Sequence, residues 1–324
     1  MRAAVHHRFG GPEVVRIGEL PTPRPGAHEV LIRVHASTVS AADHRARAKD
    51  VPAGLGIPSS LTLGFRRPRR PVLGMDAVGT VVEVGARVTA VEVGDEVLAM
   101  LGARFGGHAE YAIADAAAAV ARRPAALPVE HAAALVFGGS TALGYLRGVR
   151  LGPGVRVLIN GASGAVGSLA VQLAADAGAH VTAVCSAESG PRAASLGAAR
   201  QIDRRAADIA SLDERFDVIM DCVGDAPFSR VGRLLAPGGA LLLVAADLGS
   251  LLSARRLAAR NGVTIVTSPG AYDAADLTRL AELATAGRIR PVIDRIFPFA
   301  EVASAHAYVD TGRKRGNVVL MVGG

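Results

Sequence analysis

The chain has 324 residues, of which 50% are hydrophobic and 20% are charged, proportions that are typical of a soluble globular protein. That length favours two domains over one. No apolar run reaches the roughly 18 residues needed to span a bilayer, and the first residues lack the apolar core of a signal peptide. We therefore expect a cytoplasmic protein with no membrane partner.

The formal net charge is +7, and nearly all of the basic residues are arginine, since only Lys49 and Lys314 are lysine. Arginine in place of lysine, together with abundant alanine and glycine, indicates the codon bias of a GC-rich bacterium rather than a nucleic-acid partner. The densest basic run, Phe65 to Pro71, carries no interleaved aromatic residues and no nucleic-acid module. We interpret this run as a solvated loop, with a site for an anionic substrate tail as the alternative.

The chain contains two cysteines, Cys185 and Cys222. Neither belongs to a C-x-x-C motif or to a cluster of cysteine and histidine, so the sequence predicts no structural zinc. Both lie in apolar, strand-like runs, where a buried free thiol is the usual state.

The first third of the chain has the composition of short β-strands. Glu29 to Thr38 and Ala77 to Met100 are rich in β-branched residues and are interrupted by glycine and charged turns, as in a small barrel. Between them, Asp43 to Pro71 is polar and rich in glycine and proline, which predicts an irregular loop over a site. We place this first domain at residues 1–124.

The pattern changes near residue 125, where Pro128 to Gly148 shows helical spacing. Strand-like and helix-like segments then alternate as far as residue 267, which predicts a parallel sheet covered by helices on both faces. The overall fold class is therefore α/β. After about residue 268, two helices and two strands are expected to complete the first domain, over residues 268–324.

One glycine motif points to a ligand. The apolar run Val155 to Asn160 is followed by Gly161, Gly164 and Gly167, and a helix begins within the motif. A turn this tight needs residues without Cβ, and a diphosphate then approaches the backbone at the positive end of the helix. The strand, turn, helix and second strand together predict dinucleotide binding. A glycine-rich turn without a ligand is the alternative.

The end of the next strand indicates which dinucleotide is bound. NAD sites usually place Asp or Glu about 20 residues beyond the glycines, but this chain has Val184, Cys185 and Ser186 there. Ser186 can donate a hydrogen bond to a 2′-phosphate, and Arg192 or Arg204 can supply positive charge. NADPH is therefore the predicted cofactor. Glu188 opposes it if its carboxylate faces the phosphate, and Ser186 has helix capping as its alternative role.

The chain resembles a known family, the medium-chain dehydrogenase/reductase superfamily, in its zinc-independent quinone oxidoreductase branch. The resemblance covers essentially the whole chain and rests on four stretches: "PVLGMDAVGTVVEVGARVTAVEVGDEV", "AAALVFGGSTAL", "VLINGASGAVGSLAVQLA" and "RPVIDRIFPFAEVASAHAYVDTGRKRGNVVL". It implies a GroES-like β-barrel domain and a Rossmann domain with a doubly wound parallel sheet. The active cleft would lie between the two domains.

The resemblance also implies roles for particular residues. Those that match the diphosphate loop are Gly161, Ser163, Gly164, Ala165, Val166 and Gly167. Ser186 matches the serine that binds the 2′-phosphate, and Thr141 matches a threonine near the nicotinamide. Gly224 lies in a turn beside the cofactor, and Asn317 matches a nearby position that is often lysine.

The chain departs from the family at the metal site and in the pocket. The cysteine and the His-Glu pair of zinc-dependent relatives are absent from "STVSAADHR" and "LGMDAVG", so we expect no metal. The branch then works by orienting NADPH and an electron-poor conjugated acceptor. Ser40 and Asp43 are the candidate polar groups for catalysis, with structural hydrogen bonding as the alternative for each.

Three functions are compatible with these residues. The first is NADPH-dependent reduction of a quinone, an enone or another activated alkene. The second is an unusual reduction or a non-redox cyclisation in a specialised metabolic pathway, which the altered Ser40 loop and the run from Arg66 to Arg70 suggest. The third is nucleotide binding without catalysis. The partner is a small molecule in the first two cases, and the apolar segment Gly262 to Ser268, as a sheet edge, predicts a homodimer.

Overall fold

The structure is a computed structural model and describes residues 1–323. Its strands are β1 Arg2–Val5, β2 Arg16–Glu19, β3 Glu29–Val39, β4 Asp76–Val84, β5 Glu96–Met100, β6 Tyr111–Asp115, β7 Val120–Arg122, β8 Arg156–Asn160, β9 His180–Cys185, β10 Arg200–Asp203, β11 Phe216–Asp221, β12 Leu235–Leu243, β13 Thr264–Val266, β14 Ile293–Pro298 and β15 Asn317–Met321. Its α-helices are α1 Ala41–Ala48, α2 Gly56–Leu63, α3 Val129–Leu146, α4 Ala165–Asp176, α5 Gly190–Ser195, α6 Phe228–Val231, α7 Leu248–Asn261, α8 Ala274–Thr285 and α9 Val302–Asp310.

The first domain is built on a seven-stranded sheet. Six of its strands follow the order β14-β15-β3-β4-β5-β7, and the seventh, β6, pairs with β3. The pairs are antiparallel apart from β14 with β15, which run parallel. The long strand β3 pairs with three neighbours, and bulges in its register with β4 curve the sheet. Its inner face forms an apolar core with α9. This confirms the predicted small barrel.

The second domain contains a six-stranded sheet whose pairs are all parallel, in the order β10-β9-β8-β11-β12-β13. Its central strands are buried on both faces, which explains their continuous runs of apolar residues. The chain moves outward from β8 to one edge and from β11 to the other. The glycine turn after β8 therefore lies where the winding reverses, which is the usual position of a ligand in such sheets.

Helix α3 joins the two domains. It packs against α4 and also against strands of the barrel sheet, so both sides contribute to one apolar core. Gly138 permits the close approach to α4, because a Cβ there would lie 2.8 Å from the Ala165 carbonyl oxygen. Helix α8 packs on α3 and on β7, and the chain enters the barrel sheet only at β14. The chain was predicted to re-enter the first domain near residue 268. It first forms α8, which packs between α3 and the barrel sheet, and then enters that sheet at β14.

The segment from Asp43 to Pro71 differs from the predicted irregular loop, because it contains the whole of α2 and most of α1. Ser40 caps α1 through a capping box with Asp43, and Pro58 lies in the first turn of α2, where proline is tolerated. The glycines and prolines thus mark the ends of two short helices. None of the helices within residues 1–323 is long and apolar enough to cross a membrane.

Candidate cofactor cleft

The glycine turn after β8 is held by steric constraints. Gly161 has φ of +78°, and a Cβ on it would lie 2.8 Å from Val223 Cγ2. A Cβ on Gly167 would overlap the Gly161 carbonyl oxygen, so the first turn of α4 can lie close to the end of β8 only when residue 167 is glycine. These two glycines are required by the fold itself.

Gly164 is different, since the protein alone does not require a glycine there. Its φ is −79°, and a Cβ would meet only the Gly161 carbonyl oxygen, at 3.5 Å. It is the N-cap of α4, and no side chain caps the helix. The open space in front of the first backbone N–H groups, at Ala165, Val166 and Gly167, suits a diphosphate at the positive end of the helix. A dinucleotide therefore fits this loop.

Buried Asp221 at the end of β11 organises the neighbouring turn. Its Oδ1 accepts hydrogen bonds from the N–H groups of Val223 and Gly224, at 2.9 and 3.0 Å, and from Asn160 Nδ2 at 3.0 Å. Gly224 has φ of +101°, and a Cβ there would lie 2.9 Å from the Ala245 carbonyl oxygen. Sequence reasoning identified Gly224 but missed Asp221 and Asn160, whose signal is a polar residue ending each of two adjacent buried strands.

A cleft of about 500 Å³ extends from the glycine turn past the end of β9. Four predicted cofactor residues line it, namely Gly161, Ser163, Ser186 and Arg204. The cleft also has basic residues that sequence reasoning missed: Arg205, Arg313, Lys314 and Arg315. Together with Arg204 they place five basic side chains in the cleft, against the two carboxylates Glu188 and Asp225. The run "GRKRG" was the available signal, but its distance in sequence from the glycine turn concealed it.

The negative charge of Glu188 is paired with a basic side chain. Its carboxylate forms an ion pair with the Arg315 guanidinium. The backbone N–H of Arg315 donates to Asp294 Oδ2 at 2.8 Å. Ser186 Oγ lies 3.2 Å from Ser189 Oγ, and no side-chain cap is formed by Ser186. The serine hydroxyl is therefore available to a ligand.

Lys314 is partly buried where the C-terminal segment meets the cleft. Its Nζ donates to the Gly316 carbonyl oxygen at 3.0 Å. Burial lowers the pKa of the Lys314 ammonium to about 8, and the nearby Asp294 carboxylate opposes that shift. The Lys314 ammonium therefore loses its charge near pH 8.

The remaining predicted residues lie outside this cleft. Arg192 borders an adjoining cavity of about 220 Å³, and its Nη1 donates to the Arg315 carbonyl oxygen at 3.1 Å. Asn317 Nδ2 donates to the Val292 carbonyl oxygen at 3.0 Å, so its amide is engaged in joining β15 to the preceding chain. Thr141 is buried on α3, where its side chain lies beside that of Tyr272.

Comparisons with known proteins match this arrangement. An alcohol dehydrogenase GroES-like domain model matches residues 26–125, and a zinc-binding dehydrogenase model matches residues 196–320. The mouse (Mus musculus) mitochondrial NAD(P)H oxidoreductase RTN4IP1 is 32% identical over 361 residues, which cover 99% of this chain and 89% of that protein. The chain belongs to the medium-chain dehydrogenase/reductase superfamily, in its quinone oxidoreductase branch.

Two further relatives place the chain in the same branch. The chloroplastic quinone oxidoreductase QR1 of Triphysaria versicolor is 29% identical over 345 residues, covering 99% of this chain and 98% of that protein. The solved quinone oxidoreductase of Coxiella burnetii superposes with a TM-score of 0.88 at 27% identity, covering 100% of this chain and 99% of the other. The protein is thus an oxidoreductase of the quinone reductase type with a nicotinamide cofactor.

Protein zinc sites are built from Cys, His, Asp and Glu side chains, and the stretch LGMDAVG offers one of these, Asp76. Buried Asp76 accepts hydrogen bonds from the Thr38 N–H at 2.6 Å, from Ser37 Oγ at 2.9 Å and from the Thr38 hydroxyl. Burial raises the pKa of the Asp76 carboxyl to about 7. Within residues 1–323, no three His, Cys, Asp or Glu side chains are grouped as metal ligands. The residues present therefore do not fit a zinc ion.

The two predicted catalytic groups have structural partners. Asp43 is fully buried, and its Oδ2 accepts from the Ser40 N–H at 2.8 Å and from Ser40 Oγ at 2.6 Å. Its Oδ1 accepts from the Gly74 N–H at 2.8 Å. Because these bonds cap α1 and fix the loop before β4, the geometry supports the structural alternative for both residues rather than the catalytic one.

Proposed function

We propose that this protein is an NADPH-dependent reductase that works without a metal ion. Its acceptor would be a quinone, an enone or a similarly activated alkene. The relatives named as quinone and NAD(P)H oxidoreductases support the class of reaction. The Asp76 carboxyl is engaged by the Ser37 hydroxyl and the Thr38 N–H, and this supports a mechanism that depends on positioning rather than on a metal ion.

The charge of the cleft is the observation that carries the preference for NADPH. Five basic side chains line it against two carboxylates, and Glu188 is already paired with Arg315. No carboxylate ends β9, where an NAD site would bind the ribose hydroxyls. A 2′-phosphate would gain charge-assisted hydrogen bonds worth about 1.5–3 kcal/mol each, which NADH cannot form.

Different residues would bind different parts of the cofactor. The turn Gly161–Gly167 would bind the diphosphate, while Ser186, Arg204 and Lys314 would hold the 2′-phosphate. The Thr141 hydroxyl, which is buried beside Tyr272, would orient the nicotinamide end. Bound NADPH would supply the hydride. The chain would contribute by holding the acceptor carbon within reach, and the proton that completes the reduction would be taken from solvent.

Calorimetric titration tests the cofactor assignment. We expect NADPH to bind about tenfold or more tightly than NADH, a difference of roughly 1.4 kcal/mol. The change Ser186→Asp should reverse that order, because its carboxylate would repel the phosphate and accept bonds from ribose hydroxyls. Ser195→Asp is the matched control, since Ser195 is exposed, does not line the cleft, and its Oγ donates to the Arg192 carbonyl oxygen. Equal or tighter binding of NADH by the wild type would refute the assignment.

The acceptor class is tested by following nicotinamide absorbance with a panel of quinones, enones and saturated ketones. We expect turnover with the first two groups and none with the ketones. Elemental analysis should give no stoichiometric zinc, and turnover should survive chelators. One tightly held zinc per chain, or turnover only with ketones and alcohols, would contradict the proposal.

A further inference from the structure

Helix α2 exposes apolar side chains and buries a polar one. Ile57 is 79% exposed, Leu61 is 60% exposed and Phe65, just beyond the helix, is 59% exposed. Ser60 is buried in the same helix, and its hydroxyl donates to the Gly56 carbonyl oxygen at 2.7 Å. A spacing of four residues places Ile57 and Leu61 on one face. The outer face of α2 is therefore an apolar stripe in contact with solvent.

A strongly basic surface adjoins this stripe. Residues 51–75 contain no Asp or Glu, and their four basic residues are all exposed arginines: Arg66, Arg67, Arg69 and Arg70. No ion pair in the described part of the chain involves any of them. We call these arginines, together with Ile57, Leu61 and Phe65, the α2 surface. Its positive charge is not neutralised by the protein.

The α2 surface has a defined shape because its ends are fixed. The Leu248 N–H donates to the Ala53 carbonyl oxygen at 3.0 Å, and Lys49 Nζ donates to the Phe65 carbonyl oxygen at 2.8 Å. Gly64 has φ of +111°, and a Cβ there would overlap the Arg67 carbonyl oxygen. This tight turn carries the chain from the apolar stripe directly into the arginines.

The pairing of aliphatic side chains with unpaired arginines identifies the occupant. A phosphate backbone would use the arginines but would gain nothing from Ile57 and Leu61, and a small substrate would not require outward-facing side chains. The boundary between headgroups and acyl chains of a bilayer satisfies both, because it buries apolar groups beside anionic phosphates. We propose that the α2 surface docks this protein onto an anionic phospholipid bilayer.

This proposal revises the expectation of no membrane partner, which was based on the lack of a spanning segment and a signal peptide. It does not depend on the proposed reductase activity. With three apolar side chains and four arginines, attachment should be reversible, confined to anionic bilayers and weakened by salt.

The test is co-sedimentation of the full chain with phosphatidylcholine vesicles, with and without phosphatidylglycerol. We expect binding only to vesicles that contain phosphatidylglycerol. Arg66→Glu/Arg69→Glu should weaken binding at least about 20-fold, given roughly fivefold for each basic residue removed. Ile57→Ser/Leu61→Ser should weaken it about tenfold or more through lost apolar burial. Arg66→Lys/Arg69→Lys should retain binding.

The control is Arg16→Glu/Arg24→Glu, which changes the net charge equally at two exposed arginines outside the α2 surface. It should change binding less than about twofold if the effect is local. Thermal melting shows whether each variant is folded. The proposal fails if the wild type does not bind, if the control weakens binding as much as the arginine variant, or if the Ile57/Leu61 variant binds normally. It also fails if duplex DNA competes fully with the vesicles, which would indicate a general polyanion site.

Discussion

Glu188 and Arg315 show how single side chains set the charge of the cofactor cleft. In the sequence, Glu188 lies two residues beyond Ser186, and its carboxylate could have repelled a 2′-phosphate or bound a ribose hydroxyl. In the structure it forms an ion pair with Arg315, which leaves Arg204, Arg205 and Lys314 facing the cleft without that opposition. The local charge thus favours an anionic ligand.

Lys314 should make NADPH binding depend on pH. Its pKa is lowered to about 8 in the free protein, and a bound phosphate would raise it. Affinity should therefore be highest near about pH 7, because the 2′-phosphate itself takes up a proton towards about pH 6, and should fall as pH rises through about 8, by up to tenfold per pH unit. Calorimetric titration between pH 6 and pH 10, about four units, checks this.

The variant Lys314→Arg serves as the matched comparison, because a guanidinium remains charged throughout that range. It should bind NADPH at neutral pH within about threefold of the wild type and show a flatter pH profile. An equally steep decline in Lys314→Arg would assign the titration to another group.

At the level of elements, the turn between β8 and α4 contains two glycines that the fold requires, Gly161 and Gly167, and one that it does not, Gly164. A Cβ on Gly167 would overlap the Gly161 carbonyl oxygen, so Gly167→Ala should lower the free energy of unfolding by about 1–3 kcal/mol. A Cβ on Gly164 would have room, so Gly164→Ala should change it by less than about 1 kcal/mol.

The same two variants should differ in binding. Gly164→Ala should weaken NADPH binding at least about tenfold, because its methyl group would occupy the space of the diphosphate. Chemical denaturation and calorimetry on both proteins measure the two effects. Normal binding by a stable Gly164→Ala protein would show that the diphosphate lies elsewhere.

At the scale of the whole molecule, the edge of the parallel sheet predicts assembly. Strand β13 is the outermost strand on its side, and its residues are partly exposed. Pairing of two such edges across a twofold axis would satisfy their backbone groups and give a homodimer. Light scattering at micromolar concentration should give twice the chain mass, and Ile265→Lys should shift the protein towards monomer. A wild type that is monomeric throughout would exclude the dimer.

A buried group of histidines should make the folded protein sensitive to acid. His306 on α9 is fully buried, its ring lies 5.4 Å from that of His108, and burial lowers its pKa well below the usual value, with smaller contributions from His108 and Arg47. Burial also lowers the pKa of His6. Because these pKa values are depressed by folding, the stability that neutral histidines provide is present above about pH 6.5 and is lost as pH falls below it.

Thermal or chemical unfolding between pH 7 and pH 5, about two units, should therefore show declining stability. His306→Leu should reduce the slope by up to about 1.4 kcal/mol per pH unit, the amount linked to one proton. His131→Gln, at an exposed position on α3, is the control and should leave the slope unchanged. An unchanged slope in His306→Leu would show that other groups govern acid unfolding.

Features that depend on neighbouring residues could be predicted from the amino-acid sequence. Gly161 and Gly167 are required by local backbone geometry, so the strand, turn and helix could be predicted from their spacing. The parallel sheet followed from alternating apolar runs, and the absence of a carboxylate after β9 was evident at Ser186. Asp43 to Pro71 was predicted as an irregular loop because its glycines and prolines obscured two short helices.

Contacts between segments that are distant in the chain became evident only in the three-dimensional structure. Arg315 reaches Glu188 across 127 positions, and Lys314 enters the cleft on the same C-terminal segment. Conversely, the Asn317 side-chain amide donates to the Val292 carbonyl oxygen, and the Asp43 carboxylate accepts from the Gly74 N–H. Sequence spacing could not reveal either bond. Charge pairing and hydrogen bonding act over a few ångströms in space, so they are specified only once β14 and β15 join the barrel sheet.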